Sequence, residues 1–433
     1  PTGSTEPVKF KSIRCSLSTY PYDERGRFIC SDELLNKAWE ISQWTVRLCS
    51  EDTFVDCPFE QAFWVGDARN EGLFSYMAFG DYRLARRSLL LAGESLQRSP
   101  LVESQVPSGW ENTLTTWSLL WTIACEEYYR FSGDRAFLEE IYPAVKKQNS
   151  NIRDLYLNEQ GLFEIQAWNL LDWAPMDTPS AGVVAHTNMW LVEAFQRGAK
   201  IARALGENDD ASSAEEQAAA LRSAINRHLW SDDKQAYLDC IHEDGTPSDT
   251  FSQQTQTVAY LCDIVPLDKR ELFERYLTDV PEDWVKVRSP FMMAFTFEAL
   301  EKAGDIDSIL RLIRQWWGMM IRNGATSCWE TFDRNWENRW PTRSHCHAWS
   351  AAPVFALPAY VLGVQPIEPG FAKFVLHPNL CDLEFASGVV PTSHGDIEVD
   401  LRKTNDGTIV KFSVPRGTTA VVGDVEYGTG IHR

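Results

Sequence analysis

The sequence predicts a mainly α fold, an (α/α)6 barrel of six inner helices ringed by six outer ones, followed by a small antiparallel β-sandwich. Three observations predict it. Apolar residues recur at i, i+3, i+4 and i+7 in twelve successive segments; the connections between these segments alternate long and short; and beyond Gly363 the apolar period drops to two. The chain of 433 residues is long enough for one large domain and a smaller one, divided here as an extended segment 1–30, a barrel 31–363 and a β-domain 364–433.

The helical segments run over 31–49, 67–79, 82–97, 112–132, 134–157, 183–204, 208–229, 252–263, 268–277, 289–303, 305–320 and 347–361. Each odd-numbered segment leads into a long connection, whereas each even-numbered one ends in a tight link such as Gly80-Asp81, Ser132-Gly133 or Gly304. If successive helices run antiparallel, the long connections all gather at one end, and loops carried on a rigid scaffold are where function concentrates. After the barrel, Phe371–Leu376, Asp396–Arg402 and Thr408–Ser413 read as strands, with Asn405-Asp406-Gly407 as a hairpin turn. The first thirty residues, Phe10 to Leu17 included, read as extended and are expected to pack against the β-domain or the barrel.

Lysine and arginine total 41 and aspartate and glutamate 61, a formal net charge of −20 with no basic run suited to phosphates. This argues against nucleic acid, an anionic membrane or a polyanionic substrate, and leaves a neutral ligand as the expected partner. No apolar run approaches the roughly 20 residues that span a bilayer, and the opening PTGSTEPVKF lacks the layout of a signal peptide. Ten cysteines, spread from Cys15 to Cys381 without a CxxC pair, fit neither a zinc template nor a dense disulfide framework. They read as free, mostly buried thiols in a reducing compartment, so a cytoplasmic location is expected.

Carboxylates and indoles share the long connections. The first, within FVDCPFEQAFWVGDARNEG, holds Asp56, Glu60, Trp64 and Asp67; the second holds Trp110; the third holds Glu164, Trp168, Asp172, Trp173 and Asp177. The sixth holds Trp329, Glu330, Asp333, Trp336, Glu337, Trp340, His345, His347 and Trp349. Indole faces stack on the C–H faces of sugars, carboxylates accept from sugar hydroxyls, and no glycine-rich phosphate loop supports a nucleotide. Glycoside hydrolysis needs two carboxyl groups, one protonating the leaving oxygen and one activating water or attacking the anomeric carbon. The acid must keep its proton near neutrality, which burial among apolar groups favours. Glu60, between Phe59, Phe63 and Trp64, has that setting; Glu330 is its expected partner, because the first and last connections meet when the barrel closes.

The same residues have structural uses. Glu60 could pair with Arg69 or another arginine, and Glu330 with Arg334 or Arg339; Asp67 could cap the second helix through the N–H of Arg69 or Asn70. Asp56 could anchor its loop, Asp172 could hold a turn, and His347 could bond a neighbouring carboxylate.

DCPFEQAFWVGD, LLDWAP, SCWETFD and SHCHAWSAAPVFAL, in this order and approximate spacing, resemble the α-L-rhamnosidase family of glycoside hydrolases over about residues 30–430. The resemblance implies a six-hairpin barrel with a C-terminal β-sandwich that removes terminal α-L-rhamnose with inversion, using no cofactor and no essential metal. It places the general acid on Glu60 and the general base on Glu330. It puts sugar-binding carboxylates on or near Asp56, Asp67 and Asp172, and pocket walls or hydroxyl contacts on Trp173, Trp329 and His347. Its expected partner is a rhamnose-containing oligosaccharide or glycoside. The first motif departs from the family's Arg-Asp-Glu-Arg core, reading Phe59-Glu60-Gln61 and running two residues shorter from Asp56 to Asp67. The accessory β-domains that usually precede the barrel are also missing, so a shortened member or a fragment is expected. Two other readings stay open: an (α/α)6 glycosidase for another deoxy-sugar or a uronate, with Arg69, Arg334, Arg339 or Arg343 as counter-charge, and a non-catalytic carbohydrate-binding relative.

Overall fold

The structure, a computed structural model, describes residues 9–332 and 342–433. Its helices are α1 (Glu33–Leu48), α2 (Val65–Phe79), α3 (Arg83–Glu94), α4 (Thr115–Ser132), α5 (Arg135–Leu155), α6 (Ala185–Leu205), α7 (Asn208–His228), α8 (Gln253–Leu261), α9 (Arg270–Tyr276), α10 (Pro290–Lys302), α11 (Ile306–Arg322) and α12 (Pro353–Ala356). Each falls on one of the predicted segments. The last is the irregular one: a 3₁₀ turn, Ala348–Ser350, precedes α12, and a π turn, Leu357–Val361, follows it. Pro358 brings no N–H to the helical ladder, and the widened turn accommodates that loss.

Burial separates the two rings. All of α2 from Val65 to Phe79 is buried, as an inner helix enclosed on every side must be. In α11 burial follows one stripe, Ile306, Ile309, Leu310, Ile313, Trp317 and Met320, as expected of an outer helix. Arg69 of α2 crosses the interior, bonding Glu127 of α4 through two nitrogens at 2.6 and 2.9 Å and Glu298 of α10 at 2.6 Å. It is therefore not the partner of Glu60.

The strands are β1 (Arg27–Cys30), β2 (Gly182–Val184), β3 (Trp230–Ser231), β4 (Ala236–Tyr237), β5 (Cys240–His242), β6 (Val364–Pro366), β7 (Lys373–Leu376), β8 (Phe385–Thr392), β9 (Gly395–Thr404), β10 (Gly407–Val414), β11 (Thr419–Val422), β12 (Val425–Tyr427) and β13 (Gly430–His432). Two sheets follow the barrel, in the orders β1-β8-β9-β10-β13 and β12-β11-β7-β6. Their described pairings are antiparallel except β11 on β7, which run parallel because the long excursion through β8, β9 and β10 brings the chain back in the same direction. Thr404 pairs with Gly407 across the predicted hairpin turn, where Gly407 takes a φ of +130°.

The N-terminal expectation is corrected in part. β1 pairs with β8, but Phe10, Ile13 and Leu17 are 69%, 83% and 60% exposed. β1 is the edge strand of its sheet, and no described strand pairs with its outer side. The sandwich lies at the short-link end of the barrel. Gly80, closing α2 with φ +65°, leaves no room for a Cβ beside Pro391 of β8, and Gly133 packs on Gly370.

At the other end the long connections are stitched into a ring. Trp64 bridges Gln105, Leu114 bridges Trp168, β2 pairs with β5, and Ser252 bridges Val285. Phe332 N–H then donates to Arg288 C=O at 2.9 Å, and the amides of Ala348 and Trp349 donate to Asp56 at 2.9 and 2.8 Å, closing the circle. All ten cysteines are free, and no described helix is long and apolar enough to cross a membrane.

Candidate active site

A cavity of about 390 Å³ opens at the ring of long connections, a size suited to a small ligand. Of the predicted site residues, Glu60, Trp64, Asp67, Trp110, Trp173, Glu330 and His347 line it, joined by Gln105, Trp117, Trp168, Arg343 and Trp349.

Arg343 joins the two glutamates. One guanidinium nitrogen donates to Glu60 Oε1 at 2.5 Å and the other to Glu330 Oε1 at 3.2 Å. Glu60 also accepts from Trp64 Nε1 at 2.9 Å, and Glu330 from Trp173 Nε1 at 2.9 Å. The apolar setting expected for Glu60 is not the one found: Phe63 turns into the core, Phe59 is 64% exposed, and the carboxylate instead faces Arg343 and an indole N–H. Glu330 lies deeper, its side chain fully buried against 17% exposure for Glu60. Burial pushes the Glu330 carboxyl above the ordinary glutamate range, while Arg343 and Trp173 pull it back in part.

His347 stands between carboxylates. Its Nε2 lies 3.4 Å from both Asp67 Oδ1 and Asp56 Oδ2, and its Nδ1 lies 3.5 Å from Glu330 Oε2. Burial holds the ring neutral, well below the usual histidine range. Two carboxyl groups face Nε2 and one faces Nδ1, so the single ring proton points at a carboxyl group from either nitrogen.

Asp67 does not cap α2. The capping position is Trp64, and Asp67 sits inside the first turn, accepting from Trp117 Nε1 at 2.8 Å. Burial pushes it well above the ordinary range. Gly66 allows this contact, because a Cβ there would stand 2.4 Å from the Trp117 ring. Gly66→Ala is therefore expected to cost about 1–3 kcal/mol of stability through overpacking and to displace the indole from Asp67; chemical denaturation and tryptophan fluorescence would register both.

Three predicted sugar contacts lie outside the cavity lining. Asp56 is fully buried and holds the 3₁₀ turn before α12, the loop-anchoring role. Asp172 accepts from Gln254 Nε2 at 2.8 Å and from Arg288 N–H at 3.0 Å, tying the third connection to α8 and to the fifth connection. Trp329 is buried against His345 and borders a different depression, formed by residues 323–327. Glu164 is bonded by Asn158 away from the cavity. Asp333, Arg334, Trp336, Glu337, Arg339 and Trp340 lie outside the described residues.

Sequence reasoning misses Trp117, which belongs to α4 rather than to a connection; it expects an arginine partner for Glu60 but names Arg343 only as a counter-charge for a uronate. The distance in sequence between Arg343 and Glu60 hides their pairing; the place of Arg343 in the carboxylate-rich sixth connection is the available signal. Trp168 and Trp110, 40% and 50% exposed, flank the mouth.

A family model described as bacterial alpha-L-rhamnosidase 6 hairpin glycosidase domain matches residues 23–361, and one described as bacterial alpha-L-rhamnosidase C-terminal domain matches 363–426. An alpha-L-rhamnosidase of Alteromonas sp. (strain LOR) is 27% identical over 96% of this chain and 46% of its own length. The crystal structure of a GH78 family rhamnosidase of Bacillus sp. GL1 superposes with a TM-score of 0.89 at 43% identity, over 94% of this chain and 43% of that one. An alpha-L-rhamnosidase of Streptomyces avermitilis complexed with L-rhamnose shares the fold at a TM-score of 0.76 and 18% identity, over 93% of this chain and 39% of its own. The chain thus spans less than half the length of these relatives.

Proposed function

Because the chain belongs to the bacterial α-L-rhamnosidase family of six-hairpin glycosidases, we propose that it hydrolyses terminal α-L-rhamnosides with inversion, Glu60 protonating the glycosidic oxygen and Glu330 activating water. The observation that carries this reading is the meeting of Glu60 and Glu330, from the first and last connections, across Arg343 in an indole-walled cavity. Glu60 lies nearer the mouth, where a departing aglycone leaves, and Glu330 lies at the depth from which water would attack the opposite face. In the tautomer with its proton on Nε2, His347 would accept a hydrogen bond through Nδ1 from Glu330 once that carboxyl has taken the proton of the water. Asp67, Trp64 and Trp173 are the proposed sugar contacts, with Trp110 and Trp168 as platforms for the aglycone.

One observation favours a second reading in which the roles are exchanged. Glu330 is the glutamate that burial pushes upward, as suits an acid, while Glu60 bears the shorter bond to Arg343, as suits a base. A uronate substrate is less well served, since Arg343, the arginine in the described cavity lining, is engaged by both glutamates. Proton NMR of aryl α-L-rhamnoside hydrolysis tests the proposal: β-rhamnose as the first product is expected. First-formed α-rhamnose would end the inverting mechanism, and absence of turnover would leave a carbohydrate-binding protein.

A further inference from the structure

The third and fourth connections carry a cluster that the hydrolytic reading does not use. Cys240 and His242 stand two apart on β5, so their side chains leave the same face of the strand, and pairing with Val184 and Gly182 of β2 fixes their place. Asp177 of the third connection meets them there. His242 Nε2 lies 3.0 Å from Asp177 Oδ2 and 3.8 Å from Cys240 Sγ, and one donor atom from each residue falls within 4.8 Å of the other two.

A thiol, an imidazole and a carboxylate can also form a nucleophilic relay. That use requires the thiol and the carboxylate on opposite ring nitrogens, so that one orients the ring while the other surrenders its proton. Here both face Nε2. Donors gathered about one point describe a coordination sphere, and a sulfur, a nitrogen and an oxygen suit Zn²⁺, whereas Ca²⁺ and Mg²⁺ take oxygen alone.

The surroundings hold the donors in place. Ser248 Oγ donates to Asp177 Oδ2 at 2.6 Å, and the Asp177 amide donates to Asp239 Oδ2 at 3.3 Å. Asp239 Oδ1 in turn accepts from the hydroxyls of Ser252 and Thr255, each at 2.6 Å. Such outer contacts orient metal ligands. Cys240 is buried, while the His242 and Asp177 side chains keep 38% and 27% exposure, giving an ion a path from solvent and room for a water as fourth ligand. Among the described residues no lysine or arginine forms an ion pair with Asp177; His242 does.

We propose that Asp177, Cys240 and His242 form a zinc site that fastens the third connection to the fourth. Binding places the metal on the thiolate and releases the thiol proton to solvent. The ion takes no part in hydrolysis; it braces the connection that carries Trp168 and Trp173.

The test is calorimetric titration of the chelator-treated chain with Zn²⁺, with metal counted by mass spectrometry after dialysis. One equivalent per chain and a higher melting temperature are expected, and Co²⁺ in its place should give a thiolate-to-cobalt absorption band. His242→Ala should weaken binding by at least the roughly 10–100-fold that loss of an outer partner alone costs, Cys240→Ser should abolish the cobalt band, and Cys262→Ser, a buried thiol on another element, should change neither. Absence of saturable zinc binding, or binding that survives His242→Ala undiminished, overturns the proposal. His242 is partly exposed, so its replacement leaves the fold to report on the metal even if Cys240→Ser fails to fold.

Discussion

Glu330→Gln is expected to lower kcat by roughly 10²–10⁴-fold on every rhamnoside tried, whereas Glu60→Gln should do so only where the aglycone is a poor leaving group. The reason is chemical. A base is needed whatever departs, but an activated phenolate leaves without a proton donor. Both substitutions keep an acceptor for Trp173 or Trp64, so the pocket should survive them. Rates with dinitrophenyl and alkyl α-L-rhamnosides, together with circular dichroism, separate the cases. If Glu330→Gln is the variant spared on the activated substrate, the roles are exchanged. If neither substitution slows turnover, the two glutamates are not the catalytic pair.

A second large effect is expected on stability, from Glu71. This residue of α2 is 1% exposed, and neither of its carboxyl oxygens has a hydrogen-bond partner among the described residues. Burial, then the charge of Asp67, pushes it well above the ordinary range; Asp56, Asp67, Asp172 and Glu330 are also raised, burial first in each. Between the unfolded-state value, about 4 for carboxyl groups, and the raised folded-state values, the folded chain holds protons that the unfolded chain has released. Unfolding free energy therefore falls as pH rises through that window. Glu127 acts in the opposite sense: burial pushes it up, but Arg69 pulls it below the ordinary range, so its contribution is lost as pH falls through that lowered value. Glu71→Gln should stabilise the chain by about 1–3 kcal/mol near pH 8 and change little near pH 5, as read by denaturant titration at the two values. Destabilisation at both would show that the ionised carboxylate is wanted where it stands.

The barrel was legible in the sequence because its physics is periodic. Outer helices such as α11 carry one apolar stripe, inner ones such as α2 follow a polar first half, Asp67 to Glu71, with a mostly apolar run from Leu73 to Phe79, and the glycines after α2 and α4 mark short links. The site was legible only to the level of which connections build it. Trp329 and Glu330 are neighbours where the chain pairs with 342–347 through Glu330 N–H to Ser344 C=O and His347 N–H to Cys328 C=O, both 3.0 Å. In such paired chain successive side chains point to opposite sides, so one of the two had to face away. In the third connection, too, neighbours part company, Trp173 lining the cavity and Asp172 lying behind it. Composition names both members of each pair and cannot say which one turns inward. Phe10, Ile13 and Leu17 misled for another reason: extended character does not supply a partner strand.

The β-sandwich meets the barrel at Gly80 and Gly133, while the cavity opens near the start of α2, a fifteen-residue helix and hence roughly 22 Å away. Substrate choice and durability are thereby separated along one axis. Changes in the sandwich should alter how long the molecule lasts without re-aiming what it accepts. A tether or a fused partner attached to the sandwich would leave the approach to the cavity clear.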